Sequence, residues 1–548
     1  MSPQLAKPPP ISPATAQALE TAKSLGRLGR LAEAERAYRS ILAREADCAP
    51  AAAALARLLT AAGRAAEGEA VARPFAQGPQ VWPEALSARA AALKAMDRKA
   101  ESLADYVLAA RLNPTSGVAA HNVASGLGDA GRDLEATAEC ERAFKLGLDA
   151  PETWLVYGRA LQGLRRFEAA QDAFRQAIAR RPAYPDALRD LCQLIWMQTG
   201  DARAALGPID AALVAARGQP AVTPVLAGVK IRLLNHLAGE AQALAYALEA
   251  LAASPGDPRL ALETAALSLP SAPERSRDLC AAVLARSPRD ATARRAMSHA
   301  HLALGEANAA AQIAEQLLAE NPVDQEAAAA LATARRLAGD ARYRDLWDYD
   351  ALVRAQTIDT PRGWTSLDAY LADLRGALAE LHALQAHPVE QSVRGGTQTS
   401  QNLLAAEHPA IRAFFDAIQG PILAYRAAIG TGPDMFRMRN GGGHRVLGAW
   451  SVRLRPGGFH VDHIHPQGWI SSACYIDVPQ AVGDGEDRAG WLRFGAPPIP
   501  TRPTLEAEHF VKPQPGLLAL FPSYMWHGTV PFGGDEVRTT IAFDVVPD

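Results

Sequence analysis

Prolines that end helices recur through the first 340 residues at a fixed spacing. Pro114 and Pro182 lie two units of about 34 residues apart, and Pro255, Pro288 and Pro322 follow one unit apart each. A period of that length constrains the fold strongly. One unit is too short to bury an apolar face alone, so neighbouring units must stack and bury it between them. Residues 15–340 are rich in Ala, Leu and Arg and poor in β-branched runs, and they carry the apolar spacing of amphipathic helices. The fullest unit runs from Trp154 to Pro182, WLVYGRALQGLRRFEAAQDAFRQAIARRP. In it Gly158 and Ala170 let two helices approach closely, Phe174 and Ala177 fill the next interface, and Pro182 stops the second helix. A turn of the form GR-x-x-EA recurs at Gly29–Ala34 and Gly131–Ala136, and the register breaks around Arg217–Pro220.

The set Trp154, Tyr157, Gly158, Leu161, Ala170, Phe174, Ala177 and Pro182 resembles the tetratricopeptide repeat position by position. That resemblance implies an all-α solenoid whose concave face binds a protein or peptide. The alternative is an array that only dimerises the chain or supports its back half. Trp154 and Phe174 read as core residues.

At 548 residues the chain exceeds one ordinary domain. A net charge of −3 provides no basic field to draw nucleic acid or an acidic membrane. The five cysteines, Cys48, Cys140, Cys192, Cys280 and Cys474, are scattered without CxxC spacing, as expected of a reducing compartment. The opening MSPQLAKPPPISPATAQ is Pro-rich without an apolar core, and no run reaches the roughly 18 apolar residues of a membrane helix. A cytoplasmic protein with a disordered stretch over residues 1–14 is expected.

The composition changes in the back half, where nine of the 13 histidines lie from His382 onward. Residues 341–365 read as a linker, and Leu367–His387 and His408–Ile429 read as helices. Between these helices Gln391–Thr399 reads as a polar loop, and strands follow Gly441–Gly443. The stretch SVRLRPGGFHVDHIHPQGWISSACYIDVP, Ser451–Pro479, packs His460, Asp462, His463 and His465 beside two β-type runs. Two metal-ligand pairs have the two-residue spacing that alternate strand positions need: His460-x-Asp462 and His463-x-His465. Their parity is opposite, so one regular strand cannot aim both at one ion; parity puts His460 and Asp462 on the face away from His463 and His465. Later, FPSYMWHGTVPFGGDEVRTTIAF carries His527 and Arg538.

The segments QSVRGGTQT, HIHPQGWISSACYIDVP, FPSYMWHGTVP and RTTIAF resemble, in this order, the 2-oxoglutarate- and Fe(II)-dependent oxygenases. More narrowly, they are similar to the bacterial members that follow tetratricopeptide repeats. The resemblance covers about residues 345–548. It implies a double-stranded β-helix (jelly roll) with flanking helices, whose oxygenase domain spans 366–548. It also implies Fe(II) as cofactor, 2-oxoglutarate and O2 as co-substrates, and ascorbate as a supporting reductant. The metal histidine of the family follows a Gly and an aromatic, here Gly457 and Phe459, which favours His463. The HxHP pattern before Trp469, Ile470, Ser471 and Tyr475 matches the bacterial subgroup. In the similar PG…H-x-G-P frame of the aspartyl/asparaginyl β-hydroxylases, His465 falls on a vacant carboxylate position. His465 is therefore a third ligand or a neighbour that orients one, and His460 with Asp462 stays the alternative pair. His527 matches the distal metal histidine. Arg538 matches the arginine that grips the far carboxylate of 2-oxoglutarate, with Tyr475 and Ser471 as further contacts and Arg453 as another candidate. The implied reaction decarboxylates 2-oxoglutarate to succinate and CO2 and hydroxylates a second substrate, with a protein or peptide side chain as the leading expectation and a small molecule as the alternative. The competing class is a non-catalytic repeat scaffold whose β-helix domain is degenerate or only binds.

Overall fold

The computed structural model describes residues 4–5, 11–77, 80–483 and 485–548. Residues 1–3 and 6–10 of the stretch expected to be disordered lie outside them. Within that stretch, Gln4–Leu5 (β1) pairs in parallel with Gln80–Val81 (β2). The first helix, Pro13–Arg27, starts where the Ser12 hydroxyl accepts from the Thr15 N–H. Packing divides the chain into two compact units, residues 1–181 and 182–548.

In the first unit consecutive helices pack on one another as a tetratricopeptide-like solenoid. Gly158 shows why a small residue is needed. A Cβ there would lie 2.5 Å from the Phe174 ring, which is fully buried. The GR-x-x-EA turns share one device. Gly29 and Gly131 take the left-handed conformation (φ 74° and 70°), and the next arginine caps the following helix. That arginine donates two hydrogen bonds to the glutamate in the helix's first turn. Arg30 donates to Glu33 at 2.7 and 2.6 Å, and Arg132 to Glu135 at 2.6 Å. The carboxylate also sits at the positive end of the helix dipole. Arg64–Glu67 and Arg98–Glu101 repeat the pair. The prolines that set the period each stand two positions past a helix end. Pro114 follows Leu112 and Pro182 follows Arg180; in the second unit Pro255, Pro288 and Pro322 follow Ala253, Arg286 and Glu320. There too, the break near Arg217–Pro220 is a longer connection between helices Ala202–Ala215 and Thr223–Leu237.

The second unit holds the remaining solenoid helices, up to Gln325–Leu337, together with two antiparallel sheets. The strands are Arg354–Thr357 (β3), Val393–Gln398 (β4), His444–His460 (β5), Ile470–Asp477 (β6), Leu492–Phe494 (β7), His509–Val511 (β8), Leu517–Pro522 (β9), His527–Thr529 (β10) and Arg538–Pro547 (β11). The six-stranded sheet has the order β3-β9-β6-β11-β5-β4 and the three-stranded sheet β10-β7-β8. Helices Leu367–Leu381, Pro409–Ala417 and Gln419–Ile429 cover the larger sheet through Tyr370, Phe414 and Tyr425, all buried.

Three segments differ from the sequence expectation. Gln391–Thr399 contains a strand, β4, where a loop is expected. Its register to β5 shifts between Arg394 and Gly396, Gly395 takes φ 65°, and a Cβ at Gly396 would lie 2.4 Å from the Arg453 carbonyl oxygen. The glycines that suggest a loop permit a bulge and a close strand approach. Within 341–365, β3 pairs with β9, so this stretch contributes an edge strand to the sheet. The first flanking helix stops at Leu381, earlier than expected. Residues just beyond it bond to a solenoid helix: the Gln385 and Ala386 N–H groups donate to the Met197 carbonyl at 2.7 and 3.1 Å.

Candidate metal centre

His463 and His527 exchange both backbone hydrogen bonds, at 2.9 and 3.0 Å, as a two-residue bridge between the loop after β5 and the start of β10. The His465 N–H donates to the Ser523 carbonyl at 2.9 Å. These bonds bring three imidazoles together. Ring centroids are 4.2 Å apart for His463–His527 and 5.1 Å for each ring to His465. One nitrogen from each lies within 4.8 Å of the other two.

The tautomer of each ring follows from its partner. His463 Nδ1 faces the Val461 carbonyl at 2.8 Å and His527 Nδ1 the Met525 carbonyl at 2.9 Å. His465 Nδ1 faces the Asp544 carboxylate, at 2.7 Å to Oδ1 and 2.8 Å to Oδ2. A carbonyl or carboxylate oxygen only accepts, so each ring carries a proton on Nδ1, and in its neutral form keeps a lone pair on Nε2. His463 Nε2 and His465 Nε2 face each other at 3.2 Å. A proton on His465 Nε2 or a cation between the two nitrogens satisfies that approach.

Electrostatics distinguishes the three rings. Burial, and then the neighbouring His465, push the His463 imidazole down to about 3. Burial holds His527 well below its ordinary value, so both rings are neutral and ready to ligate. At His465 burial also pulls downward, but the Asp544 carboxylate outweighs it and the ring sits above its ordinary value. Asp544 is held below the usual carboxylate range: burial would raise it, and His465 and the Ser471 hydroxyl overcome that.

A second constellation lies at the far end of β11. Arg538, 1% exposed, donates from Nη1 to the Gly490 carbonyl at 2.6 Å, and its guanidinium lies 5.8 Å from the Tyr475 ring centre. The Arg538 Nε–H and the Tyr475 hydroxyl are both buried with no hydrogen-bond partner among the described residues. A buried cationic donor and a buried hydroxyl on neighbouring strands leave hydrogen-bonding capacity that a water or an anion can satisfy.

The remaining sequence candidates fall elsewhere. Asp462 is outside the triad; its carboxylate is held by Arg493, whose Nε donates at 3.0 Å and whose Nη2 takes the other oxygen. Ser471 is brought to Asp544 and Ser523, at 2.8 and 2.9 Å, rather than to Arg538. Arg453 stands opposite Thr397 and Thr539 in the sheet. His460 departs from the parity expectation. Its ring stacks beside His463, with centroids 6.1 Å apart, because β5 ends at His460 and the backbone turns into the loop.

Sequence reasoning missed Asp544. The available signal was an acid inside the otherwise apolar strand RTTIAFDVV. Trp526, beside His527, is a buried core residue, and its indole N–H donates to the Thr333 hydroxyl on the last solenoid helix at 2.9 Å.

Antiparallel sheets thus bring together three imidazoles that could hold a metal ion and, at the other end of β11, a buried arginine whose Nε–H has no partner among the described residues. Comparison carries this further. Residues 448–544 match the family described as "Putative 2OG-Fe(II) oxygenase", and residues 151–184 match the tetratricopeptide repeat. The two matches thus fall on a segment of the sheet-bearing region that runs from β5 to β11 and on one repeat unit of the solenoid. Among solved structures it is similar to a tetratricopeptide repeat protein from Parabacteroides merdae ATCC 43184, at 13% identity over 46% of this chain and 98% of that one, TM-score 0.34. It is also similar to PilW, a type IV pilus biogenesis factor, at 22% identity over 38% and 96%, TM-score 0.30. A third is the MamA protein, at 16% identity over 31% and 92%, TM-score 0.25. No curated protein matches the chain. No helix among the described residues is long and apolar enough to cross a membrane.

Proposed function

We propose that this protein is a 2-oxoglutarate- and Fe(II)-dependent dioxygenase that hydroxylates a protein or peptide side chain recruited by its repeat array. The observation that carries the reading is the triad of His463, His465 and His527, each with Nδ1–H clamped to an acceptor and Nε2 turned inward. The donor set fits the metal. Imidazole suits Fe(II), and nitrogens about 2.1 Å from one ion in neighbouring positions stand about 3 Å apart, close to the 3.2 Å between His463 and His465. The orphaned Arg538 Nε–H and Tyr475 hydroxyl fit the far carboxylate of 2-oxoglutarate.

Bound Fe(II) supplies the redox chemistry that couples decarboxylation of 2-oxoglutarate to insertion of oxygen into the second substrate. The chain does the rest. Asp544, Val461 and Met525 fix the rings, so no reorientation is needed when the ion binds. Arg538 and Tyr475 orient the co-substrate. Phe494 and Phe521, fully buried beside His527, keep water off that ligand. Three protein ligands leave the other positions of an octahedral ion open. The same reading covers the division into a recruiting repeat region and a catalytic region after about residue 340. A cytoplasmic location is part of it, supported by five buried free cysteines.

The test is succinate formation from 2-oxoglutarate by purified protein with Fe(II), ascorbate and O2. Wild-type protein should form succinate, His463→Ala and His527→Ala none, and Asp462→Ala most of the wild-type amount. Arg538→Ala should raise the KM for 2-oxoglutarate by a factor of tens to hundreds while iron still binds, as expected for loss of a charge-assisted pair of about 2–3 kcal/mol. A dead Asp462→Ala with a fully active His465→Ala would restore the His460–Asp462 pair. No succinate from iron-loaded wild type would leave the non-catalytic scaffold.

A further inference from the structure

His460 is a fourth imidazole at the centre, and the partner of its Nδ1 differs in kind from those of the other three. Its Nδ1 lies 2.9 Å from the Ser392 hydroxyl, a group that can donate, where the three triad rings face oxygens that only accept. With Ser392 donating to Nδ1, the ring proton sits on Nε2. No hydrogen bond to that Nε2 is present among the described residues. The main chain that carries the ring is held on two sides. The His460 backbone N–H donates to the Thr529 hydroxyl at 2.8 Å, and the Ser392 carbonyl accepts from the Val461 N–H at 2.9 Å.

A short belt of bonds joins this residue to the anion end. Thr529 is the last residue of β10, which begins at His527. The next residue, Val530, accepts at its carbonyl from the Gly490 N–H at 3.1 Å, and the Gly490 carbonyl accepts from Arg538 at 2.6 Å. His460 thus flanks the path from His463 to Arg538.

We propose that His460 is a second donor to the dicarboxylic co-substrate, its Nε2–H reaching a carboxylate oxygen of 2-oxoglutarate between the metal and Arg538, with Ser392 holding the ring for that bond. The assignment rests on the oxygenase reading above. It gives His460 a specificity role in place of the metal-ligand role that its HxD spelling suggests.

The experiment uses full-length protein loaded with Mn(II), which occupies the ion site without turnover, titrated with 2-oxoglutarate in a calorimeter; Mn(II) affinity is measured separately. His460→Phe keeps a ring against His463 and removes the donor. It should weaken 2-oxoglutarate binding roughly tenfold to a hundredfold, with Mn(II) affinity unchanged within about twofold. His460→Gln, which can still donate, should recover part of the loss. Ser392→Ala should weaken binding by about two- to fivefold and carries the test if His460→Phe does not fold. Unchanged 2-oxoglutarate affinity in these variants, or a parallel loss of Mn(II) affinity, overturns the assignment alone. Wild-type protein that binds Mn(II) but not 2-oxoglutarate overturns the oxygenase reading and the assignment with it.

Discussion

In the helix pair Pro151–Gly163 and Phe167–Arg180, the residues that decide the packing, Gly158 and Phe174, belong to consecutive helices. At the metal centre the bond that aims His465 comes from Asp544, 79 positions away. The first region is built by neighbours and the second by convergence. Where neighbours decide, a residue's role repeats with the period and a defect should stay local. Where distant strands decide, one side chain can matter through a partner no local pattern announces.

The sharpest way to break this contrast is to cut into the packed pair. Phe174→Ala removes a fully buried ring that lies on Gly158, and about 3–5 kcal/mol of local stability should go with it. Amide exchange should lose protection over residues 151–180 first. Protection lost evenly over residues 13–181 would mean that this region is not assembled by neighbours.

At the centre, Asp544→Asn should leave the melting temperature of the metal-free protein nearly unchanged and weaken Fe(II) or Mn(II) binding about 10- to 100-fold. The amide can present its NH2 to His465 Nδ1, which moves the ring proton to the face meant for the ion. A large fall in melting temperature with intact metal affinity would make Asp544 a packing residue.

The smallest effect is expected at Gly29. A Cβ there meets nothing within 4 Å, so only its φ of 74° resists a side chain. Gly29→Ala should cost about 1 kcal/mol, read from denaturant unfolding. A cost several times larger would reveal a contact that the turn geometry does not contain.

These cases also mark what a reader of the bare sequence can and cannot see. The helix-ending prolines, the Arg–Glu turn pairs and the His463-x-His465 spacing are short-range, and each stands in the structure where its spacing suggests. Segments LLALFP and WISSACYIDV fall on β9 and β6 because their apolar runs answer to burial in the sheet. β3 was illegible: its residues RAQT are mostly exposed, and the strand exists only through pairing with β9. Gln391–Thr399 was misleading because glycine signals a loop and a strand bulge alike. Asp462 was the harder case, since HxD is a genuine ligand spacing; only the distant Arg493 reveals a different engagement. His460 escaped the parity argument because alternation holds only while the strand continues.

The three clamps on the imidazoles are chemically unequal, and that inequality bears on how the centre can be inherited. Val461 and Met525 hold His463 and His527 through main-chain carbonyls, so any residue that keeps the local backbone can stand at those two positions. Asp544 holds His465 through a side chain, and a single codon change removes it. Drift should therefore reach this centre first through Asp544. A descendant that had lost it would keep all three histidines in its sequence while the third no longer faced the ion.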